Sequence, residues 1–201
     1  MTVIGITGPT GAGKTTVLNV LKELGGAVVD CDAVYHELLR TSADLQAELK
    51  ARFGGEIFDE SGDLRRKELG AIVFKDENAL AGLNAITHRH ILAELDKRLA
   101  QAEARGCPAV ALDAVALIES GLGERCQITV AITAGPEVRV RRIMSREGIS
   151  EEYARLRVEA QKPSAWFEER CDHTLRNDGS REDLEARARE LFTSIISKEE
   201  F

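Results

Sequence analysis

Near the start of the chain, Gly8-Pro9-Thr10-Gly11-Ala12-Gly13-Lys14-Thr15 satisfies the pattern G-x-x-x-x-G-K-[ST] at every fixed position. The pattern constrains the fold because it works only as the turn between a strand and a helix. Both neighbours are present. Val3-Ile4-Gly5-Ile6 reads as a buried strand, and Thr16 to Leu24 reads as a helix with Val17, Val20, Leu21 and Leu24 on one face, stopped by Gly25-Gly26. Such a turn lets backbone N–H groups close on phosphate oxygens at a helix N-terminus, with a lysine for the β and γ phosphates and a hydroxyl for Mg2+. The segment Gly11, Ala12, Gly13, Lys14, Thr15 and Thr16 is therefore the expected binding loop for a nucleoside triphosphate, with Thr15 the expected metal ligand.

The rest of the chain alternates strand-like and helix-like segments, which predicts an α/β fold with a mostly parallel sheet. Expected strands are Val3 to Thr7, Ala27 to Asp30, Ala109 to Asp113, Ile128 to Thr133 and a short Thr174-Leu175, and their continuous apolar character suits burial on both faces. Between the second and third lies a long stretch, about 33–106, with helical periodicity and no strand signal. It reads as a helical lobe inserted over the carboxyl edge of the sheet, where open α/β sheets bind ligands. The expected organisation is one domain over 1–201, with a core of about 1–32, 107–135 and 172–201, that lobe, and a lid of about 136–171.

Composition narrows the function classes. With 201 residues, 43% hydrophobic, the chain can bury one core but is short for two full domains. Its 27 basic and 34 acidic residues give a formal net charge of -7, which argues against binding nucleic acid through bulk charge. Four scattered cysteines and no C-x-x-C pair suggest reduced thiols in a cytoplasmic protein, and no apolar run approaches the length of a membrane span. Histidines 36, 88, 90 and 173 lack the spacing of a metal site.

Several side chains fit the chemistry of phosphoryl transfer. Asp30 and Asp32 flank Cys31 at the end of the second strand, and on an extended chain they point to one side. One is a candidate base for a substrate hydroxyl, with Asp32 preferred; the other reading makes one of them the N-cap of the next helix. Asp113 closes an apolar strand, as a carboxylate facing Mg2+ does or as a turn residue does. Glu119 is either a second acid at the same edge or a surface residue. Pro136 opens a helix to about Glu147 whose wheel puts Arg139, Arg142 and Arg146 on a polar stripe, a lid arrangement able to neutralise a transferred phosphate. Gly148 and Ser150 read as hinge and cap. Arg157 and Gln161, four apart on the next helix, share a face, and either can face the phosphates. Asn177 reads first as a turn former and second as a neighbour of the adenine.

Taken together these residues resemble the dephospho-coenzyme A kinase family. The resemblance rests on Gly5-Ile6-Thr7-Gly8 with the phosphate loop, Val29-Asp30-Cys31-Asp32, Phe53-Gly54, Asp63-Leu64-Arg65-Arg66 with Leu69 and Phe74, and Leu83-Asn84 with Ile86 and His88. It continues through Asp113 with Leu117 and Glu119, Arg142 with Arg146, Arg157 with Gln161, and Asp172 with Asn177-Asp178-Gly179. It implies a P-loop kinase-type three-layer sandwich with a five-stranded sheet, an inserted helical substrate lobe and an arginine-bearing lid. The implied activity is transfer of the γ-phosphate of ATP, with Mg2+, to the ribose 3'-hydroxyl of dephospho-CoA. Asp32, Lys14 and Arg142 are the implied catalytic residues. Arg142, Arg146 and Asn177 join the loop in holding ATP, and Asp32, Tyr35, His88, Asp113 and Gln161 face the acceptor. Three features depart from the family pattern: Arg89 after His88, the pair Val115-Ala116 before Leu117, and Phe167 six residues after Gln161. The rivals are another small-molecule or nucleoside kinase, and a GTPase switch, which predicts an N-K-x-D motif that the chain lacks.

Overall fold

In the computed structural model, which describes residues 1–197, the apolar run after Met1 forms β1 (Thr2–Thr7), the middle strand of a five-stranded sheet. The others are β2 (Ala27–Asp30), β3 (Ala109–Asp113), β4 (Ile128–Thr133) and β5 (His173–Arg176), in the order β2-β3-β1-β4-β5. β1 pairs in parallel with β3 and β4, and β4 with β5. Helices cover both faces. β1, β3 and β4 are buried almost throughout, as central strands must be. The edge strands are less buried, β2 partly and β5 largely exposed, a difference from the expected two-sided burial that follows from their having one neighbour each.

The helices are α1 (Lys14–Glu23), α2 (Cys31–Thr41), α3 (Ala43–Phe53), α4 (Arg66–Val73), α5 (Glu77–Ala104), α6 (Pro136–Glu147), α7 (Glu151–Glu159), α8 (Ser164–Glu168) and α9 (Arg181–Ser197) among the described residues. α1 starts two residues earlier than its apolar face suggests, because the polar Lys14 and Thr15 belong to its first turn. It ends as predicted: Gly25 adopts φ 84°, and the N–H groups of Gly25 and Gly26 donate to the carbonyls of Lys22 and Leu21. Pro136 occupies the first turn of α6, Gly148 closes it in the left-handed region, and the Ser150 hydroxyl accepts from Tyr153 N at 3.3 Å to start α7.

The chain divides into two units, Met1–Val29 with Gln101 onward, and Asp30–Ala100. The first is built on Ile4, Ile6, Ala111, Val130 and Ile132 of the sheet against Val17, Leu21, Leu184 and Phe192 of α1 and α9. The second is helical, with Leu39, Leu45, Leu49, Ile57, Phe58, Leu69 and Val73 as its core. A single bridge between Phe58 and Leu64 closes a loop there.

Burial overturns one sequence expectation. Arg139 does not lie on a solvated stripe of α6; it is 2% exposed. α6 follows β4, and the phosphate loop follows the adjacent parallel strand β1, so the Arg139 side of α6 lies beside the loop. Loss of solvent lowers the pKa of its guanidinium.

All four cysteines are free thiols. Burial pushes the Cys126 thiol up to about 11, against a weaker opposing pull from Arg125. At pH 8 its thiolate population is then about a hundredth of that of an ordinary thiol. Iodoacetamide at pH 8 is expected to spare Cys126 until the protein is unfolded, as read by peptide mass spectrometry; alkylation at the unfolded rate would contradict that burial.

Candidate active site

The phosphate loop is shaped by what surrounds it. At Gly8 φ is 141°, and a Cβ there would lie 2.0 Å from the carbonyl oxygen of Ile132 on β4. Gly13, at φ 108°, is the N-cap of α1 and no side chain caps it, which leaves the helix N-terminus open toward an anion. Lys14, the first helical residue, folds its side chain back so that Nζ donates to the Gly8 carbonyl at 2.9 Å. The loop is thus closed on itself with a cation across its mouth.

Over this loop lies a cavity of about 370 Å³, lined by Pro9, Thr10, Gly11, Gly13, Lys14, Thr15, Asp113, Arg142, Arg146 and Arg157. Register explains Asp113: it sits opposite Ile6 at the carboxyl end of β3, two residues short of Gly8. Four cationic side chains face one carboxylate, which makes the cavity an anion site inside an acidic protein. Arg146 and Arg157 both pair with the Glu147 carboxylate, the former at 2.5 Å, and these bonds hold its pKa below the usual carboxylate range.

The cavity rests on the turn after β5. Asn177, 4% exposed, donates from Nδ2 to the Ala12 carbonyl at 2.7 Å. Arg142 donates to the Asn177 backbone oxygen at 3.1 Å and to its Oδ1 at 3.2 Å. The Asp178 carboxylate accepts from Gly135 N, the N-cap of α6, at 2.6 Å, and this bond more than Arg176 holds its pKa low. Asn177 and Asp178 therefore join the phosphate loop to the root of the arginine helix. Asp172 acts similarly one strand length earlier, accepting from both N and Oγ1 of Thr129 at 2.7 Å and so tying β5 to β4.

Arg157 lies on α7 and Gln161 just beyond its end, and both reach the phosphate loop. Arg157 lines the cavity, and Gln161 bonds to Thr10 of the same lining. Gln161 is also in the wall of a second cavity of about 410 Å³, with Val115, Glu119, Ala160, Lys162, Pro163 and Phe167. Two of the departures from the family pattern, Val115 and Phe167, meet there. Glu119 is exposed and belongs to this second cavity.

In the second unit, Asp30 is the N-cap of α2, its Oδ1 accepting from Ala33 N at 2.8 Å. The helix begins at Cys31, so Asp32 sits exposed in its first turn, and the expectation of one extended chain carrying both carboxylates is corrected: Asp30 ends β2 and caps α2. Tyr35 packs against the helical core half-buried, and burial raises its pKa against the opposing charge of Arg66. His88 lies half-buried within the unbroken α5. Its neighbour Arg89, at the position where the family pattern has proline, pairs with Glu48 of α3, as does His90 at 3.2 Å. A helix that runs through residue 89 has no use for a fixed turn there.

Sequence reasoning named Arg139 but missed its burial and its bonds to the phosphate loop. The signal was its wheel position four residues before the buried Ile143.

Comparison with known proteins finds relatives along nearly the whole chain. The dephospho-CoA kinase family model matches residues 2–183. The dephospho-CoA kinase of Corynebacterium diphtheriae is 36% identical over 200 residues, covering 100% of both chains. The crystal structure of TT1252 from Thermus thermophilus superposes with a TM-score of 0.76 at 35% identity, covering 96% of this chain and 97% of that one. Dephospho-CoA kinase from Campylobacter jejuni, at 23% identity and TM-score 0.68 over 98% of each chain, shares the fold. With the loop, the cationic cavity and the Asn177-Asp178 joint all in place, this chain belongs to the dephospho-CoA kinase family.

Proposed function

We propose that the protein transfers the γ-phosphate of ATP to the ribose 3'-hydroxyl of dephospho-CoA, giving coenzyme A and ADP, the last step of coenzyme A synthesis. The observation that carries this reading is the cavity in which the phosphate loop faces Arg142, Arg146 and Arg157 in a chain of this family. Backbone N–H groups of Gly11 to Thr16 hold the phosphates. Lys14 and Arg142 stabilise charge on the transferred group, with Arg146 alongside. Asn177 serves ATP through the loop it supports.

Thr15 and Asp113 line the same cavity with a hydroxyl and a carboxylate, the hard oxygen donors that suit Mg2+. Bound there, Mg2+ would neutralise phosphate charge.

On the acceptor side, Asp32 takes the proton of the 3'-hydroxyl as its oxygen bonds to phosphorus and the bond to the ADP oxygen breaks. The helical segment 33–106 receives the coenzyme portion, and Tyr35, His88, Asp113 and Gln161 are the acceptor contacts. Residues 136–171 serve as lid. No helix of the described residues is long and apolar enough to cross a membrane; a cytoplasmic site of action and no nucleic-acid partner complete the reading.

The test is incubation with ATP, Mg2+ and dephospho-CoA, following ADP release and the gain of one phosphoryl group by mass spectrometry. Coenzyme A formation that needs all three is expected. ATP binding without that product overturns the acceptor assignment and directs attention to Val115 and Phe167.

A further inference from the structure

Thr10 stands at the tip of the phosphate loop, and each of its polar groups is held by a side chain from the α6–α8 region. Its carbonyl accepts from Arg139 Nε at 2.9 Å, its N–H donates to Gln161 Oε1 at 3.1 Å, and its hydroxyl accepts from Gln161 Nε2 at 3.1 Å. The guanidinium and the amide are themselves joined, Arg139 Nη2 donating to the same Gln161 Oε1. The backbone of α6 presses on the next residue: a Cβ at Gly11 would come within 3.0 Å of the Arg139 carbonyl oxygen.

A loop with glycines at 8, 11 and 13 has many conformations to lose, and an anion site is strong only when its donors are already aimed. Burying a guanidinium is costly, and the hydrogen-bond acceptors named for Arg139 are neutral oxygens. An ordinary packing role is better met by an apolar side chain. A buried cation that grips the loop from behind supplies both alignment and positive potential.

We propose that Arg139 and Gln161 are positioning residues that preorganise the phosphate loop by clamping Thr10, so that affinity for the phosphates, and not for the nucleoside, depends on them. The inference rests on the reading that ATP occupies the loop. It distinguishes Arg139 from Arg142, Arg146 and Arg157, which line the cavity itself. It also gives Gln161 a task separate from any contact with acceptor.

The experiment measures, by calorimetry, the affinities of adenosine, ADP and a non-hydrolysable ATP analogue, with the melting temperature and steady-state kinetics of each variant. In Arg139→Met, affinity for ADP and the ATP analogue is expected to fall by about ten- to a hundredfold, with adenosine unchanged and KM for ATP raised more than kcat is lowered. Arg139→Lys, which keeps the charge and one donor, is expected to recover part of the loss. Gln161→Leu, at a half-buried position, tests the clamp where folding is not at stake and is expected to lose less. The double variant should lose less than the product of the two single losses, because both residues order one loop. Equal losses for adenosine and ADP, or a lowered melting temperature with the ADP-to-adenosine ratio intact, would overturn the proposal. If the wild-type protein gains no affinity from the phosphates, the nucleotide reading itself fails, a result distinct from either.

Discussion

Asp32→Asn is expected to lower kcat by about 10²- to 10⁴-fold while leaving the affinity for ATP unchanged. Asparagine keeps the size and polarity of the side chain but cannot take a proton from the 3'-hydroxyl. The fold should survive: Asp32 is exposed, Asp30 and not Asp32 caps the helix, and losing one charge in the first turn costs about 0.3–1 kcal/mol. The measurement is steady-state ADP release with dephospho-CoA varied, together with calorimetric titration of an ATP analogue. A variant that turns over at the wild-type rate eliminates Asp32 as the base. Asp30→Asn is the control, since an amide oxygen still caps α2.

Gly13→Ala should abolish useful ATP binding by a different route. An L side chain at φ 108° carries a left-handed strain of about 1–2 kcal/mol. The new Cβ would also stand 2.3 Å from Asn177 Nδ2, forcing away the amide that satisfies the Ala12 carbonyl. A buried acceptor left without its donor costs about 1–3 kcal/mol. Together these amount to a few kcal/mol, about a hundredfold or more in affinity. Fluorescent nucleotide titration reads this directly. Undiminished binding would mean that the turn after β5 adapts, and that the rigidity assigned to Asn177 is overstated.

Most of the fold was legible because its signals are local. Continuous apolar runs placed β2, β3 and β4 at their observed ends, and Pro136, Gly148, Ser150 and Gly25 marked helix limits through their own backbone chemistry. β5 is longer at each end than its apolar pair Thr174-Leu175, since an edge strand needs little burial to hold its ladder. The phosphate loop was equally legible, being a linear motif that carries its geometry with it.

What escaped the sequence depends on partners distant along the chain. Asn177 reads as a turn former by type, yet its work is a bond to Ala12, reached only once β5 lies beside β4 and β4 beside β1. The Asp30-Cys31-Asp32 spacing reads as strand if the extended chain continues and as cap if it does not. The choice fell to capping because Asp30 can satisfy the N–H of Ala33. Arg139 was hidden by its type: a guanidinium between two valines is assigned to water unless the neighbouring strand order is known.

The turn at Asn177-Asp178 matters for anyone who cuts, tags or permutes this chain. Neither residue lines the nucleotide cavity, yet one supports Ala12 and the other fastens Gly135. New termini opened there would separate two halves of the site without removing a single ligand-facing atom. An insertion at Gly62 or Gly121, where nothing crowds the backbone, avoids that joint. The position to protect in handling this protein is therefore one that a survey of nucleotide contacts would pass over.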